Sequence, residues 1–139
     1  MLRQIAPQYI DTGKAKVVYH NFAVIGNESI WAAEAAECAG DQNKFWDYTS
    51  TLFENQTGEN VGAYTKDKLK QLAVQLKLDT AAFNTCLDSD KYQATIKQEL
   101  SQGQGMGVRA TPTFFVNGQK FEGMIPADQL SKLIDSYNK

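Results

Sequence analysis

Two cysteines are the residues of this sequence whose spacing says most about chemistry. Cys38 and Cys86 lie far apart, so the sequence holds no Cys-x-x-Cys, zinc-knuckle or haem-attachment motif. On composition alone, one disulfide formed in an oxidising compartment and two unrelated buried thiols are equal alternatives. The single His20 and the scattered carboxylates have no metal-ligand spacing such as H-E-x-x-H. We therefore expect no metal and no cofactor, and we interpret His20 as a loop residue.

Composition and charge narrow the class of protein. At 139 residues, of which 42% are apolar and 22% charged, the chain fits one globular domain. A formal net charge of -2 provides no field that would attract nucleic acid or an anionic membrane. No run of apolar residues is long enough to span a membrane, and the first residues lack the apolar stretch of a signal peptide. We expect a soluble chain that, as given, carries no export signal.

The elements that would position these residues begin with a helix and a strand. Apolar side chains recur at helical spacing from Leu2 to Ile10, and Gly13 stands where a C-terminal cap would lie. From Ala15 to Tyr19, β-branched and aromatic residues predict a short strand.

A block of five helical segments is predicted next. Residues that can cap a helix N-terminus stand before them, and these are Asn27, Asp41, Thr65, Asp79 and either Asp88 or Ser89. Cys38 and Cys86 fall on apolar faces of the first and fourth segments, so both are expected to point into a core. Three glycines, at positions 103, 105 and 107, are expected to end the last segment.

The rest of the chain predicts a β-hairpin and a final helix. Two apolar and aromatic runs flank Asn117-Gly118, the preferred dipeptide of a two-residue hairpin turn. Gly123 is expected to end the hairpin, and Pro126 suits the first turn of a helix. The predicted order is therefore helix, strand, helical block, hairpin and helix.

This order, together with one motif, resembles a known family. The run Val-Arg-Ala-Thr-Pro-Thr-Phe-Phe-Val-Asn-Gly at residues 108–118 resembles the C-terminal part of the DsbA-like branch of the thioredoxin superfamily. Residues 30–39 and 44–46 resemble the start of the helical domain that such proteins insert into the thioredoxin fold. The resemblance covers essentially the whole chain. It implies an α/β thioredoxin-like fold, with residues 1–26 and 108–139 as the thioredoxin-like part and residues 27–107 as the helical insertion.

The resemblance also assigns a substrate site and a disulfide. Pro112 resembles the cis-proline of the family, which implies that the backbone at Ala110 and Thr111 pairs with a bound extended peptide as an added strand. The alternative is a trans Pro112 that merely begins a strand. Because some DsbA-like proteins carry a structural disulfide in the helical domain, the resemblance implies a Cys38 to Cys86 bond. By chain entropy, closing that loop is worth roughly 3 to 4 kcal/mol.

One feature of the family is absent from this sequence. In the family a central strand leads into a Cys-x-x-Cys motif that opens the first helix, and residues 2–10 resemble only the later turns of that helix. The resemblance thus implies that the first core strand and the start of the first helix are missing, as if Met1 were a start placed partway. Without a low-pKa thiolate the chain as given is expected to be inactive in disulfide exchange, which leaves open whether it is an enzyme.

Partners and alternatives follow from the same resemblance. For a full-length family member it implies unfolded or extended protein substrates, a membrane redox partner, no nucleic acid, and a periplasmic or cell-surface location. A missing central strand would leave open sheet edges at Lys16 to Tyr19 and at Thr113 to Val116, so a homo-oligomer is expected. A redox-dead module that binds peptides or proteins is the alternative function. A purely structural helical protein would have a trans Pro112 and would bind no peptide.

Overall fold

Helices dominate residues 2–138, the part of the chain that the computed structural model describes. The helices are α1 Leu2–Ile5, α2 Gly26–Gly40, α3 Phe45–Glu54, α4 Lys66–Gln75, α5 Thr80–Asp88, α6 Gln93–Gly105 and α7 Ala127–Tyr137. The strands are β1 Thr113–Val116 and β2 Gln119–Glu122. The chain divides into two units, each described by itself below: a terminal unit of the residues up to His20 and from Gln104 onward, and a helical unit, Asn21–Gly103.

Two of the predicted N-terminal caps of the helical unit are confirmed. The Thr65 hydroxyl accepts a hydrogen bond from the Lys68 backbone N–H at the start of α4. The Asp79 carboxylate accepts the Ala82 N–H at 3.1 Å at the start of α5. Each bond satisfies a backbone donor that has no partner within its own helix. The core that these helices enclose contains Ala35, Ala36, Cys38, Ala39, Tyr48, Leu52, Leu69, Leu72, Ala73, Leu78, Phe83, Cys86 and Leu87.

The other predicted caps are wrong. Helix α2 already begins at Gly26, so Asn27 lies inside its first turn. Asp41 follows the end of α2, and its carboxylate is occupied by Lys91 and Tyr92 rather than by the start of α3. Ser89 donates its hydroxyl to the Cys86 carbonyl, so it closes α5 instead of opening α6. For Asp41 and Ser89, a competing partner takes the side chain that local spacing had assigned to a helix start.

The glycines near the end of α6 act differently from the prediction. Helix α6 runs through Gly103 to Gly105, because an interior glycine costs a helix only about 1 kcal/mol. Gly107 is the residue that ends the helical path of the chain after α6. Its φ is +75°, the left-handed region, and its N–H donates to the Gln104 carbonyl at 3.0 Å.

In the terminal unit, the predicted first helix is interrupted. Helix α1 passes into a π-helical turn, Ala6–Ile10, in which the Asp11 N–H donates to the Ala6 carbonyl at 2.9 Å. Pro7 lies in this turn and has no N–H to donate to the α-helical ladder. A small core of Ile5, Tyr9, Ile125, Leu130 and Ile134 holds the turn against α7.

The predicted hairpin is confirmed, whereas the predicted strand at Ala15 to Tyr19 does not form. Strands β1 and β2 pair antiparallel, and Asn117 and Gly118 both take positive φ in the turn between them. Residues 15–20 have no regular structure, and the only sheet in residues 2–138 contains β1 and β2. Strand propensity is not sufficient, because a strand exists only where a second one supplies hydrogen bonds. No helix in this range is both long and apolar enough to cross a membrane.

Candidate functional site

The loop that leads into β1 carries the predicted substrate-binding residues. The Thr111–Pro112 peptide bond is cis. Pro112 is half-buried, while Ala110 and Thr111 are exposed. The Thr113 hydroxyl donates to the Ala110 carbonyl at 2.7 Å, and the Gly123 N–H donates to the Pro112 carbonyl at 2.8 Å. These two bonds fix the loop on either side of Thr111.

The register of the hairpin determines which backbone groups face outward. An antiparallel pair bonds through alternate residues, and the bond from Gly123 to Pro112 places Pro112 among those that face β2. The strand residues whose N–H and C=O groups face the opposite edge are therefore Thr113 and Phe115, and the exposed Thr111 precedes them in the loop. No strand pairs with that edge anywhere in residues 2–138. We call these three residues, with their backbone groups, the β1 edge.

Side chains of the hairpin add an exposed ring on β1 and charges on β2. Phe115 is 40% exposed. The Lys120 ammonium donates to the Gly107 carbonyl at 3.1 Å and pairs with a Glu122 carboxylate oxygen at 2.8 Å. The hydrogen bond from Lys120 lowers the pKa of Glu122, and Arg109 acts in the same direction. This arrangement can receive an extended main chain, but it contains no nucleophilic thiol.

Cys38 and Cys86 lie elsewhere, in the helical unit, where they form a disulfide between α2 and α5. Their Cα atoms are 5.9 Å apart, and neither residue is more than 8% exposed. The alternative of two unrelated thiols is therefore wrong. Since the sequence has no other cysteine, no thiolate is available in this state. His20, read as a loop residue, is exposed in a segment without regular structure.

A carboxylate cluster that sequence reasoning missed marks the start of the helical unit. The Asn21 side-chain amide donates to Glu37 and to Glu99, at 2.9 Å in both cases, and the Asn21 N–H also donates to Glu99. Burial raises the pKa of Glu37, against the effect of the Asn21 hydrogen bond, and the nearby Glu99 raises it further. Glu99 lies on α6, far along the chain, so no local pattern could have indicated this cluster.

Comparisons of the sequence with known proteins identify a matching family model and several relatives. A family model described as thioredoxin matches residues 1–136. A probable disulfide bond formation protein D of Bacillus anthracis is 27% identical over 139 residues, a match that covers 97% of this chain and 63% of that protein. A Na(+)/H(+) antiporter NhaA 1 of Salinispora arenicola is 34% identical over 105 residues, which are 76% of this chain but 15% of the antiporter. The chain thus spans less than two thirds of the length of these relatives.

A solved structure extends the similarity to three dimensions. The oxidised BdbD of Bacillus subtilis superposes with a TM-score of 0.85 at 26% identity, and the match covers 98% of this chain and 75% of that chain. This similarity confirms the predicted thioredoxin-like α/β fold, which here is mostly helical with a small two-stranded sheet.

Proposed function

Because this chain belongs to the DsbA-like thiol-disulfide oxidoreductase family, we propose that it supplies the part of such an enzyme that binds extended polypeptide substrates. The single observation that carries the proposal is the unpaired β1 edge beside the cis Pro112. In this proposal the backbone at Ala110 and Thr111 receives the substrate. Residues 1–26 and 108–139 form the thioredoxin-like part and residues 27–107 the helical insertion, an assignment that the two observed units support.

Strand addition accounts for how the β1 edge would bind a substrate. The loop carbonyls of Ala110 and Pro112 are already engaged, whereas Thr111 between them is exposed. An extended chain laid along this edge would pair with Thr111 and Thr113 and add a third strand to the hairpin. Main-chain pairing depends little on side chains, which suits an enzyme that acts on many unfolded proteins.

The 139 residues alone are proposed to be inactive in disulfide exchange. A thiolate is the species that attacks a disulfide, and it needs a reactive, accessible cysteine. Both cysteines of this chain are joined in a buried disulfide. In an insulin-reduction assay we expect no turnover. Activity that disappears on substitution of Cys38 or Cys86 would contradict the proposal.

Peptide binding is tested by hydrogen exchange at single amides. A soluble extended peptide without cysteine should slow exchange at Thr113 and Phe115, whose N–H groups face outward, and leave Phe114 and Val116 unchanged, since β2 already protects these. The same peptide with N-methylated backbone amides is the matched control and should bind more weakly, because it lacks donors. Protection that does not alternate along β1 would refute strand addition.

Two further features are proposed for the protein in its setting. The disulfide supports an extracytoplasmic location, periplasmic or cell-surface, since such bonds persist in oxidising compartments. There the full-length protein would act on unfolded proteins and exchange electrons with a membrane redox partner. The alternative, a redox-dead binding module, would have no Cys-x-x-Cys motif encoded in frame upstream of this sequence, so reading that coding sequence separates the two.

A further inference from the structure

The two sulfurs of the disulfide differ in their surroundings. Cys38 is 1% exposed and Cys86 is 8% exposed, so Cys86 lies nearer the surface. The Oδ2 atom of Asp41 lies 3.8 Å from the Cys86 Sγ. A disulfide sulfur has no hydrogen to donate, so this is a contact between a carboxylate and the bond itself.

Asp41 is held in this place by two neighbouring residues. The Lys91 ammonium donates to Oδ2 at 2.7 Å, and the Tyr92 hydroxyl donates to Oδ1. Lys91 also lies 5.0 Å from the centre of the Tyr92 ring, so the two donors are packed together. The hydrogen bond from Lys91 lowers the pKa of Asp41 most, and the bond from Tyr92 lowers it further. The carboxylate therefore stays ionised at neutral pH.

We propose that Cys86 Sγ is the atom at which external thiols form a mixed disulfide with this protein, and that the Asp41 carboxylate selects against anionic thiols there. The inference concerns the helical unit alone. It does not depend on the function proposed for the β1 edge.

The chemistry balances as ordinary thiol-disulfide exchange. An external thiol loses its proton to solvent, and its thiolate bonds to Cys86 Sγ as the bond to Cys38 breaks. The electron pair leaves with Cys38 Sγ, which takes up a proton. A second external thiolate then attacks the external sulfur of the mixed disulfide and releases Cys86 as a thiolate. The protein is reduced, and two external thiols are oxidised to their disulfide.

Electrostatics explains the selection. The sulfur of every attacking thiolate is negative and is therefore repelled by Asp41. A second negative group on the reagent adds to this repulsion, whereas a positive group on the reagent offsets it. With the screening of bulk water, one such charge about 6 Å away changes the rate about threefold. Lys91 weakens the field of Asp41 without removing it, because the atom in contact with the sulfur is the carboxylate oxygen.

The experiment compares three small thiols of similar size: anionic mercaptoethanesulfonate, neutral mercaptoethanol and cationic cysteamine. Reaction of the folded chain is stopped by acid, free thiols are alkylated, and peptide mass mapping locates the adduct. Rates are divided by the thiolate concentration of each reagent. Asp41→Asn keeps the shape of the side chain and removes its charge. Asp47→Asn is the matched control, since Asp47 is also paired with a lysine, Lys44 at 2.9 Å.

We expect the first adduct on Cys86 and a wild-type rate that rises from the anionic to the cationic thiol. Asp41→Asn should accelerate mercaptoethanesulfonate about threefold, leave cysteamine unchanged or slower, and so reduce the difference between them. Asp47→Asn should reproduce the wild-type rates. An adduct on Cys38 overturns the proposal. So does an Asp41→Asn variant in which all three rates change by one factor, because that result indicates altered packing or attack through global unfolding.

Discussion

At the scale of single residues, Glu34 has the most unusual environment in the helical unit. It is fully buried in α2, and neither carboxylate oxygen has a hydrogen-bond partner within residues 2–138. Burial raises its pKa, Asp90 adds to that effect, and Lys66 and Lys97 oppose it. A buried carboxylate without a partner is costly when ionised, so its protonated form is favoured in the fold.

The contribution of Glu34 to stability is expected to be larger in mild acid than at neutral pH. A carboxyl group whose pKa is higher in the folded state contributes stability below its unfolded pKa, and that contribution is lost as the pH rises through the folded pKa. Glu34→Gln should therefore raise the free energy of unfolding at pH 8 and flatten its decline as the pH rises above the unfolded pKa of a glutamate. Urea unfolding at a series of pH values measures this. The exposed Glu59→Gln is the control, and an unaltered pH profile in Glu34→Gln would refute the prediction.

The sequence could not indicate the environment of Glu34 or of Asp41. Glu34 stands between pairs of alanines, where a helical pattern is equally compatible with a solvent-facing position. Asp41 has the spacing of a helix cap, but its partners Lys91 and Tyr92 follow α5 and are brought to it only by folding. Contacts between residues distant in sequence decide both cases, whereas the caps Thr65 and Asp79 need only residues three positions away.

At the scale of elements, the same distinction separates the hairpin from the missing strand. Asn117-Gly118 and its flanking runs contain all the information that β1 and β2 need, so the hairpin was predictable. Ala15 to Tyr19 has strand composition, but no strand within residues 2–138 lies beside it to pair with. Family resemblance supplied what local patterns could not, namely the pairing of Cys38 with Cys86.

Glu28 fastens an irregular segment to α2. Its carboxylate accepts the N–H groups of Gly62 at 2.7 Å and Tyr64 at 2.9 Å. The bond from Tyr64, with that from Gly62, lowers the pKa of Glu28 against the effect of burial. This contribution to stability is therefore present above the unfolded pKa and is lost as the pH falls through the folded pKa.

Glu28→Gln should loosen the segment before α4, because a neutral amide oxygen is a weaker acceptor than a carboxylate. We expect amide exchange at Gly62 and Tyr64 to become several-fold faster, while the Ala82 amide, bonded to Asp79 in α5, keeps its rate. Hydrogen exchange followed by NMR provides the measurement. Equal acceleration at all three amides would indicate global destabilisation instead.

The disulfide joins α2 to α5, and its removal tests its structural role. Replacing both Cys38 and Cys86 by alanine should lower the free energy of unfolding by roughly 3 to 4 kcal/mol, because the unfolded chain regains the entropy of an open loop. Chemical denaturation of the oxidised wild type and of the double variant gives the difference. Reduced wild type is the control, because it lacks the bond but keeps both sulfur atoms, whereas the double variant loses the volume of the two sulfurs as well. If intact mass under denaturing conditions were the same before and after reduction, the bond itself would be ruled out.

At the scale of the whole molecule, the two edges of the hairpin are unequal. The outer edge of β2 carries Lys120 and Glu122, and charges of this kind discourage strands from joining. Strand β1 reads Thr-Phe-Phe-Val and has no charged residue. We propose that a second copy of the chain pairs along the β1 edge, so that self-association and peptide binding compete.

Self-association should therefore depend on concentration and on Phe115. We expect light scattering to show dimers or larger assemblies of the wild type at high concentration, and Phe115→Lys to remain monomeric because it introduces like charges on one edge. Tyr137→Lys is the matched control, since Tyr137 is a similarly exposed aromatic residue, 43% against 40%, in the same unit. A saturating extended peptide should dissociate the wild-type assembly. A wild type that stays monomeric at high concentration would contradict this prediction.

The position of the Cys38–Cys86 bond also determines how the protein can be produced. A bacterial cytosol keeps thiols reduced, so chains made there would fold without the crosslink between α2 and α5. Once folded, they would enclose both thiols almost completely, with Cys38 1% and Cys86 8% exposed, so an oxidant added after purification would act slowly. Secretion into an oxidising compartment lets the bond form while the chain is still open. Protein batches from the two routes should therefore differ in heat resistance although their sequences are identical.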